Sequence, residues 1–192
     1  MRYINSRMEP DSFANWKRRN GNGEWNEFSR SDTYHELREY LIATQEQMCC
    51  YCEIALKKSI DAHIEHLKDR DHHPDQKFDF NNLYASCQHT DSCGHKKGNQ
   101  YFNGMVLPNT NDPSRFTYTD NGKIIPVMDG DGEALKTIEI LDLNNKRLKN
   151  ARKDIIRIID DINEAALVDK YLKNCVEWVN GFFTVVEYVK SK

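Results

Sequence analysis

Cys49 and Cys52 are separated by two residues, and Cys87 and Cys93 by five. Two short, well-separated cysteine pairs have the ligand type and spacing of a tetrahedral zinc site. Thiolates suit Zn²⁺, and each pair can place two sulfurs on one ion without strain. Cys50 competes with Cys49, but the spacing to Cys52 favours Cys49; His89 is an alternative ligand. Five of the six cysteines fall between Cys49 and Cys93, and only Cys175 lies far away. In a reducing compartment such clustering reads as metal binding rather than disulfides. A site closed by four thiolates has no open position, so this zinc would be structural. At roughly 10–16 kcal/mol of apparent binding energy it would hold together a segment with little apolar core.

Between and beyond the cysteine pairs stand Glu65-His66, Asn82-Leu83 and His95-Lys96-Lys97. Phosphodiester hydrolysis needs an activated water and a counter-charge for the phosphate and the leaving oxygen. An imidazole titrates near neutrality and can take the proton from water. An ion such as Mg²⁺, bound by one or two protein ligands, can supply the charge. The interleaved order of cysteine pair, Glu-His, Asn-Leu, cysteine pair and final histidine resembles the HNH family of ββα-metal nucleases. The resemblance implies His66 as general base, Glu65 and His95 as ligands of a catalytic Mg²⁺ or Mn²⁺, and Asn82 as the residue that orients the His66 strand or ring. Glu65 stands where many members carry Asp, and His95 follows Cys93 after one glycine rather than directly. His63, on the same strand face as Glu65, and Asn99 are alternative ligands. Neighbours on a flat strand face opposite ways, so Glu65 and His66 serve one site only if the strand bends or ends there. Lys96 and Lys97 are candidate phosphate contacts, a solvated helix surface being the alternative. Lys57, Lys58, Lys68 and Arg70 would extend a backbone-binding track, diluted by Asp61, Asp69 and Asp71. His72 and His73, beside Pro74, read as exposed loop residues, and His35 as structural.

The elements that must position these groups follow from local pattern. Residues 1–30, with Trp16 and Trp25 flanking a turn-rich stretch, predict an irregular or short-helical arm packed by its aromatics. Residues 32–48 predict a helix with Tyr34, Leu37, Leu41 and Met48 on or near one stripe and a Thr33/Glu36 capping box. Residues 49–100 show no single hydrophobic period. Residues 101–140 predict short strands punctuated by turns at Asn121-Gly122, Asp129-Gly130 and Asp131-Gly132. Residues 144–162 predict a helix with Leu148, Ile155, Ile158, Ile159 and Ile162 on its apolar face. Residues 164–190 predict another, ended or kinked at Gly181. The expected fold is α+β and mostly helical. It comprises an N-terminal arm and helix (1–48), a zinc-stapled ββα-metal core (49–105), and a β-turn segment with C-terminal helices (106–192), packed as one globular unit.

The chain has 192 residues, 39 % hydrophobic and 30 % charged, with a formal net charge of −3. This excludes a disordered chain and argues against a strongly basic nucleic-acid coating protein. No apolar run approaches bilayer length and the N-terminus lacks a secretory apolar stretch, so a cytoplasmic protein without a membrane partner is expected. The likeness extends from MRYI and Pro10–Trp16, through CCYCE, IEHLKDR, FNNLYASC and CGHKKG, to LPNTNDPSRFTYTDNGKI and ILDLNNKRLKNAR. Over most of the chain it is similar to the nuclease subunit of the Septu and retron-associated anti-phage systems. That resemblance implies DNA as substrate and an ATPase partner of the ABC/SMC-like type. A non-catalytic zinc-stabilised adaptor and a nuclease acting on RNA are the rival readings.

Overall fold

The computed structural model describes residues 1–21, 23–110, 115–162 and 164–192. At its centre, strand β1 (Ala62–His66) pairs antiparallel with β2 (Leu83–Cys87), in a register that runs from Ala62 opposite Cys87 to His66 opposite Leu83. Helix α3 (Asp32–Thr44) packs on both strands, and the short helix α4 (Cys93–Lys97) packs on β2. Strand, strand and helix therefore follow one another in the ββα order, within an α+β chain.

α3 begins at the expected residue 32 but is capped by a different side chain and ends earlier than its sequence pattern predicts. Ser31, extended at φ −88° and ψ 155°, accepts from the Tyr34 amide at 3.3 Å and caps the helix in place of Thr33. The helix buries Leu37, Leu41 and Ile42 and stops at Thr44, because Glu46 and Gln47 take positive φ and turn the chain toward the first cysteine pair. Gln45 at this corner is fully buried. Its Oε1 accepts from the Ala85 amide at 2.8 Å, and its Nε2 donates to the Ala85 carbonyl at 2.9 Å. One side-chain amide thus satisfies polar groups of β2 that a third strand would otherwise satisfy.

The N-terminal arm folds as α1 (Asp11–Asn20) and α2 (Trp25–Phe28). Phe28 gathers the rings of Phe13, Trp16 and Trp25 at centroid distances of 5.4, 4.6 and 5.1 Å. The arm is packed by its aromatics, and it carries Trp25 to the end of β1.

In the C-terminal half, β3 (Phe116–Tyr118) and β4 (Ile124–Pro126) form a hairpin around Asn121-Gly122. Residues 111–114, within the stretch expected to hold strands, lie outside the described residues. Asp131-Gly132 is not a strand turn but a helix start. The Asp131 carboxylate accepts from the Ala134 amide at 3.0 Å and caps α5 (Gly132–Ile140). α6 (Lys146–Asp160) is capped by Asn145. Its buried face holds Leu148, Ile155, Ile156 and Ile159, whereas Ile158, expected inside, is 42 % exposed.

The last predicted helix is three: α7 (Ala165–Lys173), α8 (Cys175–Trp178) and α9 (Phe183–Lys190). The break before α9 is made by the segment that follows the first cysteine pair. The Ala55 amide donates to the Asn180 carbonyl at 2.8 Å, and the Phe182 amide to the Glu53 carbonyl at 2.8 Å. Backbone bonding of this kind at residues 180–182 is incompatible with a continuous helix. The Glu53 carboxylate then accepts from the Thr184 amide (2.8 Å) and hydroxyl (2.7 Å), capping α9. Among the described residues no helix is long and apolar enough to cross a membrane.

Gly181 sits at φ +100°, and a Cβ there would lie 2.0 Å from the Glu53 carbonyl oxygen. Gly21, at φ +53°, has nothing within 4 Å of that position. Gly181→Ala is therefore expected to lower the unfolding free energy by about 2 kcal/mol or more, and Gly21→Ala by about 1 kcal/mol, as read by denaturant titration.

Candidate metal centres and active site

Cys49 and Cys52 lie in the tight turn after α3, closed by the Cys49 amide donating to the Ile54 carbonyl (3.0 Å) and the Glu53 amide to the Cys49 carbonyl (3.1 Å). Cys87 ends β2, and Cys93 opens α4 at φ +59°. All four are buried, and their sulfurs lie within 4.8 Å of one another. Ligands 2.3 Å from a tetrahedral zinc lie about 3.8 Å apart, and the Cys52 and Cys87 sulfurs are 3.9 Å apart. The Cys87 amide points at the Cys49 sulfur at 3.3 Å, a donor suited to a thiolate. Burial pushes the Cys52 and Cys93 thiols well up, so a cation is what would favour their deprotonated forms. The residues present fit zinc. Cys50 is buried but stands outside the group, and His89 is exposed and also outside it.

Against α4 lies a carboxylate with divided duties. Glu65 is buried, and its Oε1 accepts from the Tyr51 hydroxyl at 3.2 Å and pairs with the Lys97 ammonium at 2.9 Å. Its Oε2 lies 3.3 Å from His63 Nε2. Burial alone would raise the Glu65 pKa, but His63 and Lys97 outweigh it and hold the group below its ordinary value, as a carboxylate. The His63 ring lies against the His95 ring, centroids 4.3 Å apart, and the exposed His95 places Nε2 2.8 Å from Gln88 Oε1. Glu65, His63 and His95 therefore share one locality. Asn99 instead bonds Asp71.

His66 takes the opposite face of β1, as strand alternation requires. Its ring packs edge-on to Trp25 at 4.3 Å, and its Nε2 lies 3.0 Å from the Lys77 carbonyl. A carbonyl only accepts, so Nε2 carries the proton and Nδ1 the lone pair. Burial lowers its pKa to about 4, leaving the ring neutral at pH 7. Asn82 does not touch this ring. Its Oδ1 accepts from the Lys68 amide at 2.8 Å, and its Nδ2 donates to the carbonyls of Lys68 (2.9 Å) and Gln76 (3.2 Å). It pins the segment that leaves β1. Among the described residues, no hydrogen bond joins His66 to Glu65 or His95.

Lys96 is exposed, but Lys97 is only 1 % exposed and spent on Glu65, so it does not offer the surface phosphate contact expected of it. His72 is 67 % exposed and bonded to Asp69 at 2.7 Å. Three roles were not read from sequence: the Tyr51 hydroxyl on Glu65, the Trp25 ring on His66, and the buried ion pair of Lys97. Tyr51 lies between the two cysteines of the first pair, where its position was a signal. Trp25 comes from the distant arm, and the burial of Lys97 on a helix end had no local signal.

If one zinc joins the four sulfurs, elemental analysis should find one zinc per chain, and Cys52→Ser should abolish it and collapse the melting transition. Cys50→Ser should keep the metal, with a stability change of about 1 kcal/mol or less.

No family model matches the chain. It is similar, at 25 % identity over 94 % of its length and 89 % of the relative's, to a protein of Escherichia coli named "Retron Ec83 putative HNH endonuclease". That likeness supports a nuclease of the HNH kind.

Proposed function

We propose that this chain is a metal-dependent HNH endonuclease that hydrolyses phosphodiester bonds of DNA, and that it is the effector subunit of a Septu- or retron-type anti-phage system controlled by an ABC/SMC-like ATPase. The observation that carries the reading is Glu65. A buried carboxylate, kept ionised by His63 and Lys97, stands beside two histidines against a helix rooted in a four-thiol knot. The similarity to a protein named for a retron supports the defence setting.

Glu65 and a neighbouring histidine, His95 or His63, would hold Mg²⁺ or Mn²⁺. When bound, the ion supplies positive charge to the phosphate and the leaving oxygen. His66 accepts the proton of the attacking water at Nδ1, while the Lys77 carbonyl fixes its tautomer at Nε2. The water oxygen bonds to phosphorus as the 3′ oxygen departs and is protonated from solvent, leaving 5′-phosphate and 3′-hydroxyl ends. Asn82 keeps the chain after β1 in place, so that the His66 ring holds its direction. Lys96, exposed on α4, supplies a phosphate contact. The small negative net charge of −3 accords with a nuclease that depends on a partner for tight DNA binding.

Plasmid nicking in Mg²⁺ or Mn²⁺, with and without the ATPase, tests this. His66→Ala should reduce the rate by about 10²-fold or more. Equal behaviour of wild type and variant with the ATPase present would instead point to a non-catalytic zinc adaptor, and cleavage confined to RNA run in parallel would replace the substrate.

A further inference from the structure

The histidine that partners Glu65 can be chosen from how each ring is held. Glu65 Oε1 is saturated by the Tyr51 hydroxyl and the Lys97 ammonium, which fix the carboxylate plane. Among the described residues Oε2 has one partner, His63 Nε2, at 3.3 Å, long for a hydrogen bond. Two adjacent ligands on an octahedral ion, each about 2.1 Å from it, lie about 3 Å apart, so this pair has the spacing of two ligands on one cation.

Structural hydrogen bonding does not account for His63. Its Nδ1 is buried without a hydrogen-bond partner, and among the described residues the bond to Glu65 is its single hydrogen bond. A histidine kept for structure has its ring nitrogens satisfied. What orients the ring is the face of His95, 4.3 Å away. His95 itself is exposed and its Nε2 is taken by Gln88.

The space beside this pair is kept open by a missing side chain. A Cβ on Gly94 would lie 2.4 Å from Glu65 Oε2 and 2.7 Å from His63 Nε2. Gly94 has no positive φ, so backbone conformation does not demand glycine there. Glu65 cannot simply swing aside, because Oε1 is tied twice. The His63 side chain is 19 % exposed, which leaves a route for a hydrated ion.

We infer that the catalytic divalent cation of this chain is held by Glu65 Oε2 and His63 Nε2, both from β1, in a slot that Gly94 keeps clear, with His95 packed at a tilt against His63 as a positioning residue. The inference rests on the nuclease reading and identifies which residues hold its ion. Tyr51 and Lys97 keep the carboxylate aimed at the slot.

Mn²⁺ binding to the zinc-loaded full chain tests it, followed by electron paramagnetic resonance with detection of coordinated ¹⁴N, and with zinc content as the check on folding. Wild type should show one coordinated imidazole nitrogen. His63→Ala should lose that ¹⁴N signature and weaken Mn²⁺ binding about tenfold or more, whereas His95→Ala should retain the signature. Gly94→Ala should weaken Mn²⁺ binding to a similar degree with zinc content unchanged, although no ligand is removed. Loss of the signature in His95→Ala with retention in His63→Ala would overturn the inference and leave the nuclease reading intact, as would full Mn²⁺ affinity in Gly94→Ala. A wild-type chain that neither binds Mn²⁺ nor nicks DNA with the ATPase present would overturn both.

Discussion

The convergence of four thiols is the constraint on which the rest of the structure depends. Cys49 and Cys52 lie on the turn that leaves α3, Cys87 ends β2, and Cys93 begins α4. Bringing their sulfurs within 4.8 Å brings the three segments to one point. α4 has only five residues, too few for a stable helix on its own. It is rooted at its first residue, and the residues that follow place Gly94 and Lys97 against Glu65 and His95 against His63. The same knot reaches the C-terminal helices, because Glu53, directly after Cys52, caps α9 and pairs with the break at residues 180–182.

From that anchored helix the chemistry separates into two faces of one strand. Glu65 turns toward α4, where Lys97, Tyr51 and His63 satisfy a buried charge that would otherwise be costly. His66 turns toward the N-terminal arm, where Trp25 shields it and the Lys77 carbonyl selects its tautomer. β1 ends at His66, and Asn82 ties down the chain beyond it. A neutral imidazole and an ionised carboxylate thus stand on adjacent residues, because His63 and Lys97 lie beside the carboxylate while burial disfavours charge on the imidazole.

The legible part of the chain was the part encoded locally. The aromatic arm, α3, the Asn121-Gly122 hairpin and α6 were all visible as periodicity or turn chemistry. Misreadings occurred where distant segments intervene. The helix expected over 164–190 does break at Gly181 as anticipated, where the backbone at residues 53–55 bonds to residues 180–182, but it is also interrupted between Lys173 and Cys175. Ile158 is exposed because it falls off the helical stripe of Leu148, Arg152, Ile155, Ile156 and Ile159 that faces the core. Asp131-Gly132 carries the composition of a turn, but an aspartate that finds free amides ahead of it becomes a helix cap.

For the candidate site, sequence alone determined the inventory: which cysteines pair by spacing, and that Glu65, His66, Asn82 and His95 occur in an order that suits phosphate chemistry. Spacing within a few residues is covalent and needs no partner to be read. Tertiary structure alone decided orientation and burial. It placed His63 on Glu65, enclosed Lys97, bound Asn99 to Asp71, and gave Gly94 its meaning through atoms it would collide with. Those outcomes depend on groups tens of residues apart meeting at a few ångströms, and a local pattern does not encode which side chain a given charge will find.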